Sequence, residues 1–204
     1  AGLGAFSGTL DGAGYSVHGL YIPFSAESTS SGLVPVTSNA TIKNIAIKNS
    51  FMAGGHWTGG ITGYSYANTT FDTIFVDETV TVVGYDVGNK YFIEGWVKQD
   101  NPDVASSPFN GTVSGGVSYE SECAGGIVGY VNGSGTVNNC AVYGTVRSIE
   151  DSEIFATTNP LTNSGNPVNV LKGSHICAMV GTGWNSTVTI SDCVSVIQLH
   201  DAIG

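Results

Sequence analysis

Ile42-Lys43-Asn44-Ile45-Ala46-Ile47 is the stretch that decides the fold, because its pattern of apolar and turn-forming residues recurs along the chain. The pattern reads apolar, any residue, small or Asn/Asp, apolar, any residue, apolar. Its five copies begin at residues 17, 42, 71, 137 and 190, and in the last copy Ser195 replaces the final apolar residue. One such unit cannot bury its apolar face alone, so the recurrence predicts units that stack on one another.

Two further short elements accompany these copies. One precedes three of them, as Gly60-Ile61-Thr62-Gly63-Tyr64, Gly126-Ile127-Val128-Gly129-Tyr130 and Ala178-Met179-Val180-Gly181-Thr182. The other reads Gly111-Thr112-Val113 and Gly144-Thr145-Val146, with Glu78-Thr79-Val80 as a weaker version. Each unit therefore predicts strand, glycine turn, strand, polar turn and strand. The sequence predicts an all-β fold, a right-handed parallel β-helix (β-solenoid).

The aligned copies also predict which residues share a position in the stack. We expect one inward column formed by Leu20, Ile45, Ile74, Cys140 and Cys193. Asn44, Asn139 and Asp192 occupy one turn position, where stacked side chains can form a ladder of hydrogen bonds. Where the pattern lapses, we expect two outward insertions at about residues 84–110 and 147–174, within a single domain that covers residues 1–204.

Four cysteines, Cys123, Cys140, Cys177 and Cys193, are compatible with three disulfide connectivities. The repeat register places Cys140 and Cys193 on neighbouring units, with Cα atoms about 5 Å apart as in paired strands. That distance permits a disulfide without requiring one. We predict that this pair forms unbridged, stacked thiols.

Two regions of the chain resemble a known repeat family. Residues 6–22 resemble the leader that precedes GLUG repeats, and residues 125–146 resemble one full GLUG unit. Residues 59–82 and 177–199 are similar but degenerate copies. The resemblance implies a piece of a larger bacterial surface or secreted protein, either adhesin-like or a repeat region attached to an immunoglobulin A metallopeptidase. It carries over no catalytic residues.

Charge excludes some classes of partner. Six Lys and Arg stand against sixteen Asp and Glu, so the formal net charge is −10. A nucleic-acid-binding protein needs a basic face that neutralises phosphates, so we predict no nucleic acid partner. Since no run of 18 apolar residues occurs, we also predict that the chain does not span a membrane.

Catalytic and metal-binding patterns are incomplete. The carboxylate groups that could serve a glycosidase are Asp72 with Asp77 and Glu78, and Glu120 with Glu122. We interpret them as solvated loop acids. The four histidines, His18, His56, His175 and His200, lack the spacing of a zinc site. We therefore predict no catalytic residues, no metal and no cofactor. The alternative is a polysaccharide-acting β-helix enzyme, or an accessory region of a secreted protease.

Binding residues are predicted mainly from the aromatic side chains. Tyr91, Phe92 and Trp96 cluster in the first insertion, with Trp96 as the expected anchor, and Trp57 and Trp184 are further candidates. Asn-x-Ser/Thr sequons predict glycosylation at Asn39, Asn68, Asn110, Asn132 and Asn185. These features favour a non-enzymatic extracellular or cell-surface module for adhesion, ligand binding or scaffolding, with a surface protein or a glycan as ligand. Exposed strand edges at the ends of the stack make a self-assembling filament or surface-layer subunit a further alternative.

Overall fold

A computed structural model of the chain describes residues 4–23, 30–53, 57–87, 123–148, 170–172, 175–197 and 199–200. These residues form strands joined by turns, as expected for a chain rich in glycine and poor in helix formers. The strands are β1 (Phe6–Asp11), β2 (Ser16–His18), β3 (Tyr21–Ile22), β4 (Ser30–Ser31), β5 (Val36–Lys48), β6 (Phe51–Ala53), β7 (Trp57–Gly59), β8 (Thr62–Tyr66), β9 (Thr69–Val76), β10 (Thr81–Val87), β11 (Cys123–Gly125), β12 (Val128–Asn138), β13 (Ala141–Val142), β14 (Thr145–Ser148), β15 (Val170–Lys172), β16 (His175–Cys177), β17 (Val180–Ser191), β18 (Val194–Ser195) and β19 (Leu199–His200).

The strands form three sheets, which the chain visits in a fixed order. The first sheet contains β1, β2, β5, β8, β9, β12, β13, β17 and β18; the second contains β3, β6, β10, β14, β15 and β19; the third contains β4, β7, β11 and β16. Each passage through the three sheets adds one level, and the first sheet has five levels: β1 with β2, then β5, then β8 with β9, then β12 with β13, then β17 with β18. Strands of neighbouring levels pair in parallel. The predicted all-β fold with parallel strands is confirmed.

The register of the second to the fifth repeat copies is confirmed by their strand pairs. Ile42 pairs with Phe71, which in turn pairs with Val137, and Val137 pairs with Ile190. Ile45 pairs with Ile74 in the same way. At most 1% of the surface of each of three of these residues is exposed: Ile42, Phe71 and Val137. This column therefore forms the centre of the core. Stacking of equivalent apolar side chains is what buries each unit.

The predicted register of the first copy is wrong. Leu10 pairs with Ile42 and Val17 with Ile47, so Leu20 lies outside the column that contains Ile45. The reason is the length of the first turn. Ser16 lies five residues after Asp11, whereas Ala46, its partner in the second level, lies only three residues after Lys43. Gly12 takes the position above Ile45 instead, since a Cβ on Gly12 would lie 2.7 Å from the Cβ of Ile45.

The weaker copy of the third element is also shifted. Thr81 pairs with Thr145 and Val82 with Val146, so residues 80–82, and not residues 78–80, are equivalent to residues 144–146. A turn accounts for the shift, because the backbone N–H of Val80 donates to the Asp77 carbonyl at 3.1 Å. That turn takes up Glu78 and Thr79, which the sequence pattern had assigned to the strand.

The first of the two accompanying elements, which reads Gly-x-x-Gly in two of its three copies, has a glycine at its fourth position in every copy. Close packing between the first and the third sheets requires that glycine. Gly63, Gly129 and Gly181 share one register position, between the pairs that Val128 and Tyr130 make with β8 and β17. A Cβ on Gly129 would lie 2.7 Å from the backbone nitrogen of Thr58, in the third sheet. Any side chain at this column would push the two sheets apart, which explains why the element repeats a glycine there.

Both insertions leave the stack between the second and the third sheets, at adjacent levels. β10 continues to Val87 and pairs antiparallel with β15, where Tyr85 is opposite Lys172. The start of the first insertion and the end of the second therefore lie side by side. Residues 84–87, 147–148 and 170–172, which fall within the bounds of the predicted insertions, belong to strands. The remaining residues of both insertions lie outside the described ones.

Candidate binding face

Five threonines occupy one register position in all five levels of the first sheet. Strand pairing joins Thr9 to Thr41, Thr41 to Thr70, Thr70 to Thr136 and Thr136 to Thr189. We call this set the threonine column. Each member directly precedes a residue of the central apolar column, and side chains alternate along a strand, so the threonines point away from the core. Thr41, Thr70 and Thr136 are half-buried between neighbours, whereas Thr9 and Thr189 are exposed.

The hydroxyl groups of the threonine column form no hydrogen bond with any residue that the structure describes. Thr69, which points inward beside Thr70, behaves differently. Its Oγ1 atom lies 3.4 Å from both the Thr37 hydroxyl and the Tyr66 carbonyl. The inward threonine therefore finds partners within the fold, while the outward column keeps its hydrogen-bonding capacity for solvent or a ligand.

A charged and amide-bearing column flanks the threonines on one side, and its members are Asp11, Lys43, Asp72, Asn138 and Ser191. Lys43 Nζ lies 3.4 Å from Asp11 Oδ2. The Asn138 amide donates to Asp72 at 3.2 Å, and the Ser191 hydroxyl donates to Asn138 at 2.8 Å. This column is thus satisfied by contacts between its own levels.

Exposed polar residues flank the threonines on the other side, two positions before each one: Ser7, Asn39, Asn68, Ser134 and Thr187. We call the threonine column and its two flanks the polar face. It has fifteen side chains at these positions, and none of them is aliphatic or aromatic. The threonines and the Asp11–Ser191 column pair without interruption from level to level, so these ten side chains recur at one spacing, whereas the flank that precedes the threonines lies at shifts of the strand register.

One edge of the polar face is the turn that contains Asn44, Asn139 and Asp192. These residues have φ of 53°, 51° and 51°, in the left-handed region that Asn and Asp tolerate best. The predicted ladder between them takes another form. Asn44 donates to Asp11 at 3.0 Å and Asn139 donates to Asp72 at 3.1 Å, so each amide reaches the residue that precedes the turn one level away. The amide of Asn44, followed by the backbone N–H of Ala13, holds the pKa of Asp11 below its usual range.

Cys140 and Cys193 lie on neighbouring levels, with the backbone nitrogen of Cys140 3.4 Å from Cys193 Sγ. Both carry free thiols. Each thiol lies near the carbonyl two residues earlier, at 3.1 Å from Asn138 and 3.0 Å from Ser191. Burial raises the pKa of Cys140 to about 12, so that this thiol stays protonated at neutral pH.

The predicted aromatic residues are placed differently from one another. The Trp57 ring packs on Tyr64 and Tyr130, at centroid distances of 4.5 and 5.5 Å, and is half-buried. It belongs to an aromatic cluster beside Gly63, Gly129 and Gly181, which we call the glycine column. Trp184 pairs through its backbone with Asn132. The side chain of Trp184 lies outside the described part of the chain, as do Tyr91, Phe92 and Trp96.

Three of the predicted glycosylation sites have described side chains. Asn39 and Asn68 are exposed on the polar face, and Thr41 and Thr70 are the threonines of their sequons. Asn132 is half-buried, and its amide donates to the Tyr64 hydroxyl at 2.9 Å. The side chains of Asn110 and Asn185 are not among those that the structure describes.

Two of the carboxylates considered for catalysis accept hydrogen bonds from neighbouring residues. Asp72 accepts from the side-chain amides of Asn138 and Asn139, at 3.2 and 3.1 Å. Asp77 accepts hydrogen bonds from the hydroxyl and the backbone N–H of Thr79, which lower its pKa. In the described ranges, no group of three or more His, Cys, Asp or Glu side chains could hold a metal ion. Glu120, Glu122 and His56 fall in the gaps between those ranges.

The threonine column was missed by the sequence analysis although a signal for it exists. Thr41, Thr70, Thr136 and Thr189 each stand directly before a repeat copy. The repeat is defined by its apolar positions, and the residue before each copy lies outside that pattern. The first threonine, Thr9, became visible only when strand pairing corrected the register of the first level.

Among the described residues, no helix combines the length and the hydropathy that crossing a membrane requires. A comparison of the chain with models of protein families, with curated proteins and with solved structures found no match.

Proposed function

We propose that the chain is a right-handed parallel β-helix that serves as a non-enzymatic, extracellular or cell-surface binding module. Support for the helix comes from the fixed order in which the chain visits its three sheets, with parallel pairing at each return. Connections between parallel strands of one sheet are right-handed in about 98% of cases, which favours that hand here.

The observation that carries the binding role is the threonine column. Five outward hydroxyl groups recur in register over all five levels of the first sheet, without partners among the described residues. A structural column would be expected to satisfy itself, as the neighbouring Asp11–Ser191 column does. The polar face therefore offers a ligand a regular set of unused donors and acceptors.

The proposed surface location rests on the resemblance of residues 125–146 to a GLUG unit. GLUG repeats occur in adhesin-like and other secreted bacterial proteins, where they imply structure rather than catalysis. The net charge of −10 and the scarcity of cations agree with a solvated module. The aromatic cluster of Tyr91, Phe92 and Trp96 remains a predicted second contact region in the first insertion.

Paired substitutions test the proposed binding role. Thr70→Val with Thr136→Val removes two hydroxyl groups while keeping β-branched side chains of similar shape. Thr81→Val with Thr145→Val is the matched control, because these two half-buried threonines also pair in register but lie in the second sheet. Arrays of glycans and of extracellular proteins should retain the parent and the control, and should retain the Thr70/Thr136 variant less.

The enzyme alternative is tested on the same arrays. Any ligand that is retained is incubated with the protein, and the release of new reducing ends or of peptide fragments is measured. We expect retention without release. Product release that depends on Asp72 or Asp77 would identify the chain as an enzyme and would overturn the proposal.

A further inference from the structure

We infer that the ligand of the polar face is an uncharged linear polysaccharide that lies along the stack, across successive levels. This inference rests on the proposed binding function and names its ligand class. Three properties of the face lead to it: its charge, the spacing of its hydroxyl groups and the direction in which they are repeated.

Charge selects against acidic polymers. The whole chain has a net charge of −10, so anionic polysaccharides and nucleic acids are repelled at long range. The one cation of the face, Lys43, is paired with Asp11 at 3.4 Å. Asp72 accepts amide hydrogen bonds from Asn138 and Asn139. What the face offers at its centre is thus neutral hydroxyl groups, which match a neutral polyhydroxylated ligand.

Spacing favours a ligand that repeats. Neighbouring parallel strands lie about 4.8 Å apart, so the threonine column places its five hydroxyl groups at nearly equal intervals over about 19 Å. One pyranose residue of an extended β-1,4-linked chain advances that chain by about the same interval. Successive sugars of such a chain are turned over relative to each other, so neighbouring levels meet alternate edges of the sugars, each with a threonine hydroxyl as hydrogen-bond partner and the threonine methyl group against the ring.

Direction separates a polysaccharide from a peptide. A bound peptide strand pairs through its backbone with an exposed strand edge, and not with the face of a sheet. The threonine column runs across the strands, from Thr9 to Thr189, where only side chains are presented. A polysaccharide, whose hydroxyl groups repeat along its length, fits such a column. Once one sugar is bound, the next sugar is held close to the next level, so its contact forms at a high effective concentration.

The test is calorimetric titration of the full chain with β-1,4-linked glucose di-, tetra- and hexasaccharides. Affinity should rise with each step in length, as more levels are engaged. Each lost hydroxyl group should weaken binding about fivefold, so Thr70→Val with Thr136→Val should weaken hexasaccharide binding about 25-fold. The Thr81→Val with Thr145→Val control should bind like the parent. Thermal unfolding of all three proteins establishes that each is folded.

The outcomes separate this inference from the proposed function. Equal affinity for short and long oligosaccharides, equal loss in the control, or stronger binding of polygalacturonate would overturn the uncharged-polysaccharide inference. Retention on protein arrays alone would also overturn this inference. In each of these cases the proposed function as a binding module still holds. Failure to retain any array ligand contradicts the proposed function itself.

Discussion

At the scale of single residues, the turn of the first sheet shows which side chains a left-handed backbone accepts. Asn44, Asn139 and Asp192 occupy it in three levels, and Thr73 occupies it in the third level with φ of 53°. A β-branched residue in this region is strained, typically by about 1–3 kcal/mol. The side chain of Thr73 is exposed, so nothing in the core depends on it.

We predict that Thr73→Asn stabilises the protein by about 1 kcal/mol, because Asn tolerates the left-handed region that strains Thr. The measurement is the midpoint of urea unfolding. The reverse change, Asn139→Thr, should destabilise the protein, since it adds strain and removes the hydrogen bond to Asp72. If Thr73→Asn lowers the midpoint, turn strain does not limit stability at this position.

A second prediction at this scale concerns acid stability. Hydrogen bonds from Asn44 to Asp11, and from Thr79 to Asp77, lower the pKa of both carboxyl groups in the folded state. Their contribution is complete above the ordinary value of 3.8 and is lost as the pH falls through the lowered values. The free energy of unfolding should therefore decrease below about pH 4. The combined change Asp11→Asn with Asp77→Asn should flatten this decrease, and an unchanged slope would contradict the assignment.

At the scale of the elements, the glycine column sets the distance between the first and the third sheets. The sheets approach so closely at Gly129 that a Cβ there would lie 2.7 Å from the backbone nitrogen and 2.8 Å from the carbonyl oxygen of Thr58 in the third sheet. The same Cβ would lie 2.8 Å from the carbonyl oxygen of Gly63 on the neighbouring strand. Backbone atoms cannot move aside as a flexible side chain can. The repeated Gly-x-x-Gly element is therefore a requirement of packing between sheets, in addition to its role at the turn.

We predict that Gly129→Ala destabilises the protein by about 3 kcal/mol or prevents folding, because the added methyl group overpacks two backbones. Gly135→Ala is the matched control in the same strand, since its Cβ would meet only side chains, those of Val131 at 3.4 Å and of Val188 at 3.9 Å. Chemical denaturation of both variants gives the comparison. Equal losses in the two variants would show that glycine matters there for another reason than close approach.

At the scale of the whole molecule, none of the residues that the structure describes covers the apolar column at the fifth level. Ile190 pairs with the buried Val137 but is 50% exposed, and Val194 and Val196 beside it are 46% and 64% exposed. The level also presents a strand, β17, that pairs on one side with β12. An exposed edge with apolar side chains is a template for a further strand. This observation favours the filament or surface-layer alternative as an additional property of the chain.

We predict that this chain self-associates through the fifth level in a concentration-dependent way, and that Ile190→Asp shifts it toward the monomer. Sedimentation velocity at several concentrations measures the shift. Asn68→Asp is the control, because it adds the same charge at an exposed turn of the third level. If both variants dissociate equally, net charge and not the open level governs association; a monomeric parent chain contradicts the prediction outright.

Most of the stacking could be predicted from the sequence, whereas the candidate site could not. Apolar periodicity located four of the five levels in the first sheet, because each level must bury equivalent side chains. It placed Leu20 wrongly, since the length of the first turn, from Asp11 to Ser16, leaves no apolar signature. The sequence pattern also favours aromatic residues as binding groups; one of them, Trp57, packs against Tyr64 and is half-buried.

The amino-acid pattern alone predicts parallel strands stacked in register, with Ile42 and Phe71 in one buried column. Hydrophobic burial is strong and periodic, so it can be recognised along one chain. Which polar residues become neighbours across levels depends on the pairing of strands in the folded protein. Thr9 and Thr189 lie far apart in sequence, and strand pairing alone brings them into one outward column. The register of the core imposes that column, because each threonine directly precedes a side chain that must be buried. When the buried side chains align across levels, the threonines before them align as well.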